Sequence, residues 1–151
     1  MLSKRLEQVA SMVTKGNIIA DIGTDHGYVP IYLVEKGICP KAYAMDINQG
    51  PIESAIKNIE NYGLSEKIQA IKSNGLEKLE PEKADTIIIA GMGGELIVNI
   101  LENGLAKLEN CSRPVKELVL SPHKRGDLVR KYLEEHKWHI TDEKMLIDMN
   151  K

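Results

Sequence analysis

A chain of 151 residues has the size of one ordinary domain and can bury roughly two-thirds of the surface its unfolded form exposes. With 20 Lys and Arg against 22 Asp and Glu, a net charge of −2 and no Phe, it lacks both the global positive charge of a polyanion binder and the aromatics of a base-stacking platform. Cys39 and Cys111 form no CxxC, no run approaches ~18 apolar residues, and the opening MLSKRLEQVASMV has no apolar core of a secretory leader. A metal site, a disulfide scaffold and a membrane span are therefore not expected, and a reduced, cytoplasmic setting is.

Leu2, Leu6, Val9 and Val13 recur at helical spacing, predicting a first helix that Gly16 ends. Asn17 to Ile22 reads as a strand, Gly23 to Tyr28 as a glycine loop, and Pro30 sits in the first turn of a helix running to Gly37. The pattern repeats with a strand over 42–47 and a helix that Pro51 starts and Gly63 closes, its apolar face being Ile52, Ala55, Ile56 and Ile59. A third unit begins at Ile68. Asp85 to Ala90 is the clearest strand, followed by a glycine turn over 91–94 and a helix carrying Leu96, Ile97, Ile100 and Leu101. Glu117 to Leu120 gives a fifth strand and Lys124 to Glu135 a further helix. This alternation predicts a doubly wound α/β domain with a mostly parallel sheet and helices on both faces, and ligands in such sheets bind at the carboxyl ends of the strands.

The residues after each predicted strand are therefore the candidates. Asp21-Ile22-Gly23-Thr24-Asp25-His26-Gly27 is not the dinucleotide fingerprint, because Asp25 and Tyr28 stand where G-x-G-x-x-G needs glycines. A phosphate beside Asp25 would meet like charge, whereas an ammonium or sulfonium would meet a partner. Asp46, nineteen residues after Gly27 at the end of the second strand, is placed to accept hydrogen bonds from ribose hydroxyls. Together these indicate an adenosyl ribose without a pyrophosphate, as in S-adenosylmethionine. Each residue also has a plainer reading: Gly23 and Gly27 as turn formers, Asp46 as a strand-end turn residue, His26 as a structural histidine, and Gly91 to Gly94 as a tight turn.

The strings ADIGTDHGYVPIYL (20–33), SNGLE (73–77) and IIAGMGGELI (88–97), with the opening LSKRLEQVASMV, resemble the TrmK family of bacterial tRNA (adenine(22)-N(1))-methyltransferases. These belong to the class I Rossmann-like S-adenosylmethionine-dependent methyltransferases. The resemblance covers nearly the whole chain, and the pairing of DHGYVP with AGMGG is specific to that family. It implies methyl transfer from S-adenosyl-L-methionine to N1 of an adenine in tRNA. Asp21, Gly23 and His26 would frame the methionine part of the cofactor, Asp46 and Ile47 the ribose and adenine edge, and Asn74, Gly75 and Leu76 the adenine. Ala90, Gly91 and Met92 would lie beside the methyl group, and Asp25 and Tyr28 are the catalytic candidates near the target base. Attack by neutral N1 leaves positive charge on the base, so a fixed carboxylate such as Asp25 stabilises the transition state more than the ground state. Tyr28 would stack on or hydrogen-bond the base.

Two departures from the family are visible. Leu120-Ser121-Pro122-His123 stands where the family often shows Leu-Gln-Pro-Asn. Trp138 to Met149 resembles the sixth strand, but the seventh strand and the family's helical C-terminal domain are absent, leaving residues 1–151 as the cofactor-binding domain with an incomplete last hairpin and an unpaired edge. The densest basic stretch, 123–131, is short and reads more readily as a solvated helix face, so tRNA binding has less support than cofactor binding. The competing readings are a non-catalytic cofactor- or RNA-binding remnant and an NAD-binding domain.

Overall fold

Ile87, Ile88 and Ile89 have no exposed surface, so the strand that carries them must be covered on both faces. The computed structural model describes residues 2–142. Its five strands are β1 (Ile19–Ile22), β2 (Ala42–Asp46), β3 (Ile68–Lys72), β4 (Thr86–Met92) and β5 (Glu117–Pro122). They form one sheet in the order β3-β2-β1-β4-β5, parallel at every pairing. Strand order reverses between β1 and β4, which defines the switch point at which open α/β sheets receive ligands.

The helices are α1 (Lys4–Ser11), α2 (Tyr28–Glu35), α3 (Gln49–Asn61), α4 (Gly94–Glu109) and α5 (Gly126–Glu135). Side-chain alternation along the strands divides the core in two. Ile19, Ala42, Ala44 and Ile88 face α1, α2 and α3 and pack with Val9, Leu33 and Ile59. Ala20, Ile22, Met45, Ile87 and Ile89 face α4 and α5 and pack with Ile97, Leu101, Leu105 and Val129. Each fully buried Ile contributes about 1.5–3 kcal/mol of transfer free energy. The isoleucine run of β4 serves both layers because β-branched side chains fit a pleated strand buried on each side.

Three features differ from the sequence expectation. Helix α1 ends at Ser11 rather than at Gly16; Ser3 caps its start by accepting the Leu6 N–H at 3.2 Å, and Val13 stays buried in the turns that follow. The crossover from β3 to β4 contains no helix: residues 73–85 form turns whose Leu76 and Leu79 fill the space beside α4. Residues 138–142 carry no strand, and the rest of the expected sixth strand, through Met149, lies outside the described residues.

Gly104 of α4 is where that crossover is seated, since a β-carbon there would stand 2.6 Å from Cβ of Leu76. Gly104→Ala is therefore expected to destabilise the domain by about 1–3 kcal/mol in urea unfolding despite its better helix propensity. Combining it with Leu76→Gly should cost less than the sum of the two single changes, because the second removes the β-carbon with which the first collides.

Candidate active site

The loop leaving β1 is shaped by alternating left-handed residues, with φ of 76° at Gly23, 60° at Asp25 and 78° at Gly27. Gly23 is required twice over, because a β-carbon there would also collide with the terminal methyl of Met92 on β4. At Gly27 a β-carbon would press on Ala55 at 3.2 Å, so the start of α2 sits close against α3. The N–H groups of Gly23 and Thr24 both donate to the Met45 carbonyl at 2.8 Å, that of Gly27 to the Thr24 carbonyl at 3.2 Å, and that of Asp25 to Oδ2 of Asp46 at 3.2 Å. These amides, which a dinucleotide fold aims at a pyrophosphate, are engaged within the chain.

Asp46 is the hub of the site. Its Oδ1 accepts the N–H of Asn48 at 3.0 Å, its Oδ2 that of Asp25, and its carbonyl that of Ser73 at 2.8 Å. Both carboxylate oxygens keep further acceptor capacity toward the crevice. Asp21 lies buried nearby, accepting the Thr24 hydroxyl at 2.9 Å. Burial raises its carboxyl from the ordinary value of 3.8 to about 7; the Thr24 hydrogen bond opposes this and the charge of Asp46 adds to it.

His26 is held rather than free. Its Nδ1 shares a 2.7 Å hydrogen bond with Ser54 Oγ, its carbonyl accepts from Asn58 Nδ2 at 2.9 Å, and its Nε2 lies 3.5 Å from Asp25 Oδ1. The Tyr28 ring sits 5.1 Å from the His26 ring and is 45% exposed. Asp25 and Tyr28 thus stand at the rim, open to solvent, above a buried pair formed by Asp21 and Asp46. Ser54 and Asn58 were not singled out in the sequence; as polar residues four apart beside the apolar Ala55 and Ile59, they carried a signal for an anchor on α3.

After β2, Ile47 is 54% exposed, an apolar side chain left at the crevice rim. After β3, Ser73 Oγ donates to the Gly75 carbonyl at 2.9 Å and accepts the Lys78 N–H at 3.0 Å, fixing the turn that leaves Asn74 exposed. Gly75, at φ 59°, packs on Ile100, whereas the Leu76 side chain is buried against α4 and offers only its backbone. The glycine segment 91–94 is divided between two elements: Gly91 and Met92 continue β4, where pairing with β5 slips between Ala90 and Met92 and Gly91, at φ 81°, occupies the bulge, while Gly93 caps α4 and Gly94 opens it. Such a bulge re-aims the strand end at the switch point. The sequence could not distinguish it from a turn, because left-handed glycine serves both.

All the candidate positions lie at the carboxyl edge of the sheet, in the crevice or on the loops around it. Among the described residues no group of three or more His, Cys, Asp or Glu side chains converges as a metal site requires, and no helix is long and apolar enough to cross a membrane.

A parallel sheet of this order, a glycine loop after β1 and an anchored acidic residue ending β2 define a nucleoside-cofactor domain of the Rossmann-like class. Residues 2–151 match the methyltransferase-domain family, and the chain belongs to it. Among the proteins it resembles are tRNA methyltransferases. It is 40% identical over 145 residues to the tRNA (adenine(22)-N(1))-methyltransferase of Bacillus subtilis, covering 96% of this chain and 59% of that protein. The crystal structure of the B. subtilis m1A22 tRNA methyltransferase TrmK superposes with a TM-score of 0.92 at 39% identity, over 100% of this chain and 63% of that one. M. capricolum TrmK, solved with S-adenosyl-homocysteine, superposes with a TM-score of 0.86 at 37% identity, over 98% of this chain and 64% of that one. The chain thus spans about three-fifths of the length of these relatives.

The buried Asp21 makes a testable demand on stability. Its folded value of about 7 lies above the ordinary 3.8, so the folded state holds the proton more tightly than the unfolded chain. Stability contributed by this group is complete below about pH 4, is lost as pH rises to about 7, and stays lost above. Asp21→Asn is expected to be more stable than the unsubstituted chain at pH 8 in urea unfolding, with the difference shrinking toward pH 4.5.

Proposed function

We propose that this chain binds S-adenosyl-L-methionine at the β1–β4 switch point and methylates N1 of adenine 22 in tRNA. The observation that carries the reading is Asp46, whose two carboxylate oxygens are each anchored by one backbone N–H and remain able to accept from a pair of ribose hydroxyls. The residues present fit the cofactor's chemistry. Asp21, Asp25 and Asp46 gather negative charge suited to an ammonium and a sulfonium, and the engaged amides of 23, 24, 25 and 27 suit a ligand without phosphates. The likeness to the TrmK proteins supports the same choice and supplies the target base.

When bound, the cofactor supplies an electrophilic methyl carbon on its sulfonium. In the proposed arrangement Asp21, Gly23 and His26 frame its methionine part, Asp46 and Ile47 hold the ribose and adenine edge, and Asn74, Gly75 and the Leu76 backbone border the adenine. Ala90, Gly91 and Met92 line the place of transfer, where the missing side chain of Gly91 gives the base room. Held by these residues, the cofactor would present that methyl carbon to the adenine N1 lone pair, with sulfur keeping the bonding pair. Asp25 stabilises the positive charge then left on the base, and Tyr28 offers a ring face for stacking. Most of the acceleration comes from holding the two reactants in line. In this reading residues 1–151 form the cofactor-binding domain, tRNA is the partner, neither metal nor membrane takes part, and the compartment is the cytoplasm.

The test is incubation with S-adenosyl-L-methionine and unmodified tRNA, followed by nucleoside mass spectrometry, with 1-methyladenosine at position 22 expected. S-adenosylhomocysteine binding without that product would instead favour a non-catalytic remnant. Asp46→Ala should weaken calorimetric S-adenosylhomocysteine affinity by about 10–100-fold, the loss of a charge-assisted hydrogen-bond pair. Asp25→Asn keeps a side chain that tolerates left-handed backbone and should lower turnover by about tenfold with cofactor affinity retained. Cofactor affinity should rise with pH through about 7 as Asp21 ionises, and Asp21→Asn should remove that rise.

A further inference from the structure

Two cations without a carboxylate partner among the described residues converge on the bulge of β4 from opposite ends of the chain. The guanidinium of Arg5, on α1, reaches to 3.6 Å from where a β-carbon on Gly91 would stand. Lys124, in the turn from β5 to α5, lies across Gly93 with Cε at 3.2 Å and Cγ at 3.4 Å from the β-carbon position there. The neighbouring Arg125 differs: it is paired with Asp127 at 3.1 Å and lies 3.9 Å from Glu95. The turn that holds Lys124 is itself fixed, since His123 N–H donates to the Met92 carbonyl at 3.0 Å and Gly94 N–H to the Lys124 carbonyl at 2.8 Å.

Gly93 adds an independent point. Its backbone, at φ −71° and ψ 155°, is extended and open to any residue, so conformation does not explain a glycine there. What a side chain would displace is the stem of Lys124. The crevice is thereby divided by sign. Carboxylates of Asp21, Asp25 and Asp46 lie on the β1–β2 side, and Arg5 and Lys124 on the β4–β5 side, in a chain whose net charge is −2.

We propose that Arg5 and Lys124 form a cradle for the phosphodiester backbone beside the methylated nucleotide, holding the RNA on the β4–β5 side while the base enters over Gly91. The proposal rests on the tRNA methylation reading for the identity of the polyanion. A planar guanidinium and a mobile ammonium on either side of a glycine bulge suit phosphate oxygens, and backbone contacts of this kind position a nucleic acid without reading its sequence. Lys124 belongs to the basic stretch 123–131, but Arg5 lies far from it in the sequence, so no local charge run announces the pair.

The experiment measures binding of an unmodified tRNA transcript by fluorescence anisotropy across salt concentrations, for the full chain, Arg5→Gln/Lys124→Gln, and a control, Lys36→Gln/Lys41→Gln, at the opposite edge of the sheet. The cradle predicts about tenfold weaker binding and a salt slope lower by roughly two for the first double variant, with the control unchanged and S-adenosylhomocysteine affinity unchanged in both. Gly93→Ala should reproduce part of the loss without altering charge. Equal affinity and slope in all three proteins, or no tRNA binding by any, overturns the cradle. Methyl transfer separates this from the underlying reading. A chain that methylates tRNA with the same KM in the double variant overturns the cradle alone, whereas one that binds tRNA through these residues yet forms no 1-methyladenosine overturns the methylation reading alone.

Discussion

Asp46 ties together three loops at the carboxyl edge of the sheet. One carboxylate oxygen holds the loop after β1 through Asp25, the other holds the entry to α3 through Asn48, and the carbonyl holds the loop after β3 through Ser73. One residue thus bonds to the glycine loop, the segment after the rim residue Ile47 and the turn carrying Asn74, alongside the links from the glycine loop to Met45, Ser54 and Asn58. Hydrogen bonds from backbone amides to a carboxylate are directional and stronger than neutral ones, and here they take the place of a longer helical scaffold. The missing helix between β3 and β4 makes this tie matter more, because the Asn74 turn is otherwise held by Ser73 within it, by Gly75 against Ile100, by Lys107 Nζ donating to the Glu77 carbonyl and by the seat of Leu76 on Gly104.

The same concentration of acid has a cost. Asp21 sits in the core beside Thr24 with Asp46 close by, and burial, opposed by the Thr24 hydrogen bond and aided by the charge of Asp46, raises its carboxyl to about 7. A core built only for stability would place an apolar side chain at that position of β1, as Ile19 and Ile22 are placed. Strain and unfavourable charge collected at one edge, together with the left-handed Asp25, are what a site that must receive a cationic ligand looks like before the ligand arrives.

The strand and helix order was legible in the sequence because it depends on period alone: β4 reads as a strand from its isoleucines, and α3 and α4 from their three-and-four spacing. The ends of elements were less legible. Gly16 attracted the end of α1 although the chain turns four residues earlier, and the β3–β4 crossover is shaped by two buried leucines that no periodicity encodes. The glycines after β4 advertised backbone freedom without saying whether it would be used for a turn or a bulge. In the site, Asp46 and the glycine loop could be found from spacing along one chain segment. Ser54 and Asn58 show in the sequence as a polar pair on α3 but not what they anchor, because the fold brings His26 to them from far along the chain.

The placement of β1 at the centre of the sheet has a temporal side. Its partner β2 follows closely, but its other edge, from Ile19 to Ile22, waits for β4, which pairs Thr86 to Ile89 against it. During synthesis at ~5–20 residues per second, that edge stays unpaired for roughly 3–13 seconds after it leaves the ribosome. The nascent chain therefore passes through a stage in which a short, apolar strand has one open hydrogen-bonding edge. The shortness of β1, four residues ending in an aspartate-bearing glycine loop, limits what could wrongly pair with it before β4 is made.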